Sequence, residues 1–216
     1  MSIWIAKRLL WESIKEVKPI LVQVVFSIVL TLCISTLKAH EAAGQVTAED
    51  IRLAISHTLR PVFYGRLLAR DEAKQLEIAK IIVKVSRKYS HDPYLITSMG
   101  YCESSFRKDA IGVSKGEIGL LQVHGVAAKG CNLDTIEGQA DCGAKWLREK
   151  IDQCGSLRAG LTAYVSKSCK AAPDSRAAFA VKRRLKIALR LRKIVTAKKN
   201  NLVSVYKNNN LGQSRQ

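Results

Sequence analysis

The chain has no CxxC pair, and its four histidines are dispersed, so the ligand spacing of a zinc site is absent. No metal and no cofactor is expected. Acid is scarce: 18 Asp and Glu stand against 36 Lys and Arg, a formal net charge of +18. Such a surface favours anionic partners, whether nucleic acid, membrane headgroups or an acidic wall polymer, and charge alone does not choose among them. No acid follows Asp174, while residues 176–199 carry Arg176, Lys182, Arg183, Arg184, Lys186, Arg190, Arg192, Lys193, Lys198 and Lys199. That basic stretch holds a single aromatic, Phe179, and no series of aromatics interleaved among its cations for stacking on bases, so nucleic acid is not the expected partner.

Charge is also missing from Pro19 to Leu37, nineteen residues bounded by Lys18 and Lys38. At ~1.5 Å per residue a helix of that length reaches about 28 Å, close to the hydrocarbon core of roughly 30 Å. A cleaved signal peptide is the rival reading, with Leu37-Lys38-Ala39 as its cleavage site. The long preceding region and the length of the apolar run favour an uncleaved signal anchor. Lys7, Arg8, Lys15 and Lys18 precede the run, and only Lys38 and Arg52 follow at comparable distance. The positive-inside bias then puts residues 1–18, an amphipathic segment, in the cytoplasm. The bulk of this single-pass membrane protein is placed on the periplasmic or extracytoplasmic side. Gln23, Ser27, Thr31 and Ser35 recur every four residues and would line one face of the span.

Residues 38–70 read as a linker with a short helix over 49–59, started by Thr47 or Glu49 and ended by Arg60-Pro61. From Asp71 to Tyr89, Leu76, Ala79, Ile82, Val83 and Tyr89 share one face of a helix. His91-Asp92-Pro93 is a stop followed by a start, with Asp92 as N-cap and Pro93 in the first helical position. The next helix carries Leu95, Ile96 and Met99 into a core and delivers Glu103 about three turns on. Five cysteines lie beyond the apolar run, and spaced cysteines in an exported domain favour disulfides. Cys131–Cys142 and Cys154–Cys169 are the sequence-adjacent pairings, leaving Cys102 free; small buried cysteines are the alternative. Val181, Leu185, Ala188 and Val195 form an apolar stripe on a basic amphipathic helix. A domain over 71–196 is expected to end in that helix, with a disordered tail over 197–216.

Glu103 stands out. A carboxyl at the margin of an apolar core is partly desolvated, the condition under which a neutral Glu serves as proton donor in sugar chemistry. Ser104, Ser105 and Phe106 follow it, then Gly112, Gly116 and Gly119 at turn-like spacing, then Leu120-Leu121-Gln122. This E-S-S-F followed by G-E-x-G-L-L-Q-V resembles the catalytic core of the lytic transglycosylases of the soluble-lytic-transglycosylase (SLT, lysozyme-like) family. Gln139 to Leu147 is similar to the family helix with an Asn, a Gly and an aromatic-Leu pair. Leu161-Thr162-Ala163-Tyr164 is similar to the helix that brings an Ala-Tyr-Asn motif into the groove. Phe179 to Leu185 is similar to the terminal helix, so the resemblance covers roughly 71–190.

The resemblance implies a mostly α fold, an α+β lysozyme-like domain with a small β-hairpin between Ile111 and Val123, beside the one N-terminal transmembrane helix. It implies cleavage of the β-1,4 bond between N-acetylmuramic acid and N-acetylglucosamine in peptidoglycan glycan strands. Glu103 would protonate the glycosidic oxygen and then accept the proton of the C6 hydroxyl as a 1,6-anhydro ring closes, so that one carboxylate suffices where most glycosidases use two. Gln122 would hydrogen-bond substrate, Ser104 or Ser105 would steady Glu103, and Tyr164 would wall the groove. Departures are Val165 where the family usually has Asn, Gln139 where Asn is usual, and a loop about one residue longer that carries Glu117. Glu117 as a second carboxylate placing a water would make the enzyme a hydrolytic muramidase. Val165 motivates a different class, a non-catalytic peptidoglycan-binding or scaffold module. A cationic protein that lyses membranes through its basic helix is a further reading. The basic helix over 176–199 would either be solvated or adhere to anionic lipids or envelope polymers.

Overall fold

The computed structural model describes residues 45–58, 71–112, 116–123 and 125–213. Among them are six α-helices and one 3₁₀ turn, and no strand. The helices are α1 (Ala48–Thr58), α2 (Glu72–Lys88), α3 (Pro93–Ser104), α4 (Ile136–Cys154), α5 (Leu157–Ser166) and α6 (Arg176–Gln213), with the turn at Gly125–Ala128. The expected cytoplasmic segment 1–18 and transmembrane anchor 19–37 lie outside the described residues, as does most of the 38–70 linker. Among the described residues no helix is long and apolar enough to cross a membrane.

Local sequence fixes the helix starts. Thr47 and Asp50 cap α1 reciprocally, Thr47 Oγ1 accepting from Asp50 N (3.2 Å) and Asp50 Oδ2 from Thr47 N (2.8 Å). Asp71 caps α2, Asp92 caps α3 ahead of Pro93, Thr135 caps α4 and Ser156 caps α5. Gly155 (φ 76°) ends α4 in the left-handed conformation, so α5 starts almost at once. The helices then pack by their apolar faces. Ile78, Ala79 and Ile82 of α2, Leu95, Ile96 and Met99 of α3, and Ala144 and Leu147 of α4 are all buried.

The core extends ahead of residue 71, where the domain is expected to start. Ile51, Ala54 and Ile55 of α1 are buried in the same core, and α1 packs on α2, α3 and α6. An i, i+3, i+4 triplet of apolar side chains is enough to dock a short helix. Residues from Val46 onward cluster as one compact unit.

Of the hairpin expected over Ile111–Val123, the described residues form no strand. Ile118 makes isolated antiparallel bridges to Ile111 and to Val123, and neither extends into a ladder. Gly112 N donates to Glu117 O (2.8 Å), Gly119 N to Ala110 O (2.8 Å), and Gln122 N to Gly119 O (3.2 Å). Turns follow one another too closely for pairing to propagate, so the backbone satisfies itself locally.

The tail expected to be disordered from 197 continues as helix to Gln213. No proline interrupts it, and Lys199 Nζ reaches Asp50 Oδ2 of α1 at 2.6 Å. Among the described side chains of α6 the buried ones are Val181, Arg184, Ala188, Leu191 and Val195, at spacings of three and four. Three of the four expected stripe residues are among them, while Leu185 is half-buried.

His91, between α2 and α3, is buried and its Nε2 lies 2.8 Å from Ala144 O of α4. Burial pushes its pKa below the ordinary 6.5; the Ala144 carbonyl opposes this, Arg148 adds to it and Asp152 opposes it. The unfolded chain therefore takes up a proton near pH 6.5 that the folded chain refuses until lower pH. Stability is full above that value and falls as pH drops below it. Thermal unfolding followed by circular dichroism is expected to show a smaller loss from pH 7 to pH 5 for His91→Gln than for the wild type.

Two disulfides form, Cys131–Cys142 and Cys154–Cys169, and Cys102 is free and half-buried. Both are the sequence-adjacent pairings expected above.

Candidate active site

The residues of the E-S-S-F motif do different jobs. Glu103, in the last turn of α3, turns its side chain into an open cavity of about 350 Å³. Ser104 is buried, and its hydroxyl is directed at Leu120 O (2.9 Å) and Gly100 O (3.2 Å), tying α3 to the loop after it. Ser105 (φ 54°) and Phe106 (φ 64°) both turn left-handed, which drops the Phe106 ring into the core against Gly100. The group that steadies Glu103 is neither serine. Arg184 Nη2 of α6 donates to Glu103 Oε1 at 2.5 Å.

The second motif supplies the facing wall. Leu120 and Leu121 are fully buried. Gly119 (φ 75°) lies so close to Gln139 that an added Cβ would sit 2.1 Å from its amide carbon. Gln139 is itself buried and is the hub of this loop. Its Oε1 accepts from Leu120 N (2.9 Å), and its Nε2 donates to Lys108 O (3.0 Å) and Leu133 O (2.8 Å).

Gln122 (φ 51°) lines the cavity, but its Nε2 is engaged with Ala110 O (3.1 Å) and Gly119 O (2.9 Å). Both amide hydrogens are spent on backbone, so only Oε1 is left to meet a ligand, as an acceptor. Left-handed non-glycine residues on both sides of Glu103's cavity are the kind of local strain that packing must hold in place.

Glu117, Gln122, Tyr164 and Arg184 all line the cavity with Glu103, so four sequence-identified site residues come together there: Glu103, Glu117, Gln122 and Tyr164. Ser104 and Ser105 do not line it. Tyr164 Oη donates to Leu121 O at 2.7 Å, which fixes the phenol as a wall. Burial, then the charge of Glu103, push the Tyr164 pKa well above its ordinary value, Glu117 adds to this, and Arg184 opposes it. Both carboxylates are therefore electrostatically close to the same ring. Trp146 of α4 and Lys167, just past α5, also line it, and Val165 is exposed there. Lys150 Nζ lies over the Trp146 ring, 4.1 Å from its centroid.

Arg184 and Lys167 were not expected at the site. Arg184 carried a readable signal, since it falls on the buried stripe of α6 at a position that would otherwise be apolar. Lys167 carried none. Cys102 neighbours Glu103, but burial pushes its thiol above the ordinary range, and it offers no ready nucleophile. A larger cavity, about 630 Å³, lies beside the N-terminus of α5; its lining includes Arg158, Lys170 and Lys182 and no carboxylate, so it lacks a group for acid/base work. Among the described residues no cluster of His, Cys, Asp or Glu could hold a metal ion.

The Cys154–Cys169 bridge ties the end of α4 to the segment just past Val165 and Lys167. It closes a separation of 15 residues, a constraint worth about 3 kcal/mol. The double variant Cys154→Ser/Cys169→Ser is expected to unfold about 6–12 °C lower by scanning calorimetry. An unchanged midpoint would mean that the bridge constrains nothing.

Residues 80–168 match the family model described as a transglycosylase SLT domain. The match includes Glu103, Glu117, Gln122, Trp146, Tyr164 and Lys167, and excludes Arg184. No curated protein and no solved structure matches the chain.

Proposed function

We propose that residues 80–168, which match the transglycosylase SLT domain model, act on peptidoglycan as a lytic transglycosylase does, with Glu103 as the single acid/base of this chain. In this reading Glu103 protonates the oxygen of the β-1,4 bond between N-acetylmuramic acid and N-acetylglucosamine. The C–O bond to the leaving sugar breaks. The C6 hydroxyl oxygen bonds to C1, and its proton returns to Glu103, leaving a 1,6-anhydromuramic end. The observation that carries the reading is the meeting of Glu103 with Gln122, Tyr164 and Trp146 in one open cavity. Trp146 and Tyr164 hold sugar rings, and Gln122 Oε1 accepts from a sugar hydroxyl. The exposed side chain of Val165 gives that part of the wall an apolar contact where the resembling family has a polar one.

A second reading has a specific observation behind it: Glu117 lines the same cavity. A second carboxylate that places a water would make the product a reducing muramic end. Digestion of purified peptidoglycan in ¹⁸O-labelled water separates the two. The transglycosylase leaves no label at the cleaved end, whereas hydrolysis adds one ¹⁸O atom there and makes Glu117 the next residue to substitute.

The place of action we propose is outside the cytoplasm. Two disulfides suit an oxidising compartment, and the uncharged run over 19–37 suits an anchor that keeps the domain near the wall.

A further inference from the structure

The cations of α6 divide by the face they occupy. Three reach back to the domain and are neutralised: Arg184 pairs with Glu103, Arg192 with Asp92 and Lys199 with Asp50. Lys182, Lys186, Arg190 and Lys193 are exposed, and none makes an ion pair among the described residues. Asp174 is the one acid in the sequence from residue 153 onward, so the chain has little to offer them.

Their placement is periodic. At about 100° per residue, Phe179, Lys182, Lys186, Leu189, Arg190 and Lys193 share an arc of about 100° on α6. The buried Val181, Arg184, Ala188, Leu191 and Val195 occupy the opposite side. Phe179 is 70% exposed and Leu189 60%, two of the three most exposed large apolar side chains among the described residues. They stand about 15 Å apart along the helix axis. Leu185, Leu189 and Ile194 line an open cavity of about 620 Å³, with Arg158 of α5 and the four unpaired cations around them and no acid. Apolar side chains scattered singly on a surface are ordinary, but two set on one line of cations are not.

We propose that this outer face of α6 is a docking surface for a bilayer of anionic lipid. Lys and Arg reach the headgroup phosphates from the ends of their apolar stems, while Phe179 and Leu189 pass beneath them to the acyl boundary. A soluble acidic polymer satisfies the cations and leaves both apolar side chains in water. A bilayer surface takes up both. The helix is already held by its buried face, so docking does not have to order it, as it would a free amphipathic peptide. The inference is independent of the chemistry at Glu103, whose partner Arg184 lies on the opposite side of α6.

The test uses the full chain carrying Leu189→Trp as a fluorescent reporter, with bilayers whose acyl chains carry bromine as the quencher. Trp4, Trp11 and Trp146 supply a background that is read from the chain without the substitution. Because the reporter sits on α6, any attachment through residues 19–37 is common to every arm. Vesicles of phosphatidylcholine alone are compared with an equal mixture of phosphatidylcholine and phosphatidylglycerol. Quenching of the reporter is expected to be at least about threefold greater in the anionic vesicles, since each cation near such a surface is worth about fivefold in affinity. Adding Lys182→Gln, Lys186→Gln, Arg190→Gln and Lys193→Gln together brings it down to the neutral level. Equal quenching in the two vesicles overturns the proposal, as does undiminished quenching without the four cations. A shift of reporter emission with polyglutamate equal to that with anionic vesicles shows that charge alone is read, and overturns it too. Should the fourfold variant not fold, the comparison of the two vesicles and the polyglutamate arm still decide.

Discussion

Glu103→Gln is expected to lower the rate of soluble muropeptide release by about 10³-fold or more while the protein stays folded. General acid/base catalysis contributes about 10²–10⁴-fold in ordinary sites. In the proposed mechanism the same carboxyl acts first as acid and then as base, so the loss belongs at the upper end. Glutamine keeps the shape and an acceptor oxygen for Arg184, but it can neither donate nor take up a proton. The charge pairing with Arg184 is lost, and both partners are largely buried, with side-chain exposures of 17% for Glu103 and 8% for Arg184. Removing one member of a buried pair is destabilising, so a fall of a few degrees in the unfolding midpoint is expected beside the kinetic effect. Rate and midpoint measured on the same preparation separate the two. A variant that keeps more than a tenth of the activity would remove Glu103 from the chemistry.

The second large effect is structural. Gln139→Leu is expected to cost roughly 3–5 kcal/mol, because Leu120 N, Lys108 O and Leu133 O lose their partner together, at about 1–3 kcal/mol each where they remain buried. For a chain of this size that lowers the midpoint by roughly 6–20 °C. Activity should fall too, since Gln139 fixes the loop that carries Glu117 and Gln122 into the cavity. Gly119→Ala should act in the same direction. It places a side chain at φ 75° and drives its Cβ into the Gln139 amide. Thermal unfolding of both single variants and the double tests the coupling. Additive effects would contradict a shared contact, because neighbours that share a partner are not additive.

Much of the helical frame was legible because it rests on short-range chemistry. Asp92-Pro93 caps α3 as its residue types require, and Leu95, Ile96 and Met99 are buried at helical spacing. Glu103 was legible as a carboxyl leaving an apolar helix. Its neighbours were less so. Ser104 looked like a partner for Glu103, yet its hydroxyl turns inward to Leu120 O, because the helix end is buried and that carbonyl needs a donor. Gln122 looked like a free amide, but a left-handed turn at its own backbone recruits its side chain as a brace. Arg184 shows in the sequence as a cation on the buried stripe of α6, but its partner Glu103 lies 81 residues away and no local pattern names it. The hairpin was expected from the resemblance alone; in the described residues, ties from Gln139 and Ser104 to Leu120 hold the segment in successive turns. The short helix α1 was seen but placed outside the domain, since nothing in residues 48–58 says what their apolar face meets.

The measurement that bears most directly on the whole account is mass analysis of the muropeptides released from purified peptidoglycan by the full chain, beside Glu103→Gln. The account predicts products ending in 1,6-anhydromuramic acid from the wild type, and their absence with the variant. Anhydro products of equal amount from both proteins, or no soluble product from a folded wild type, would contradict it.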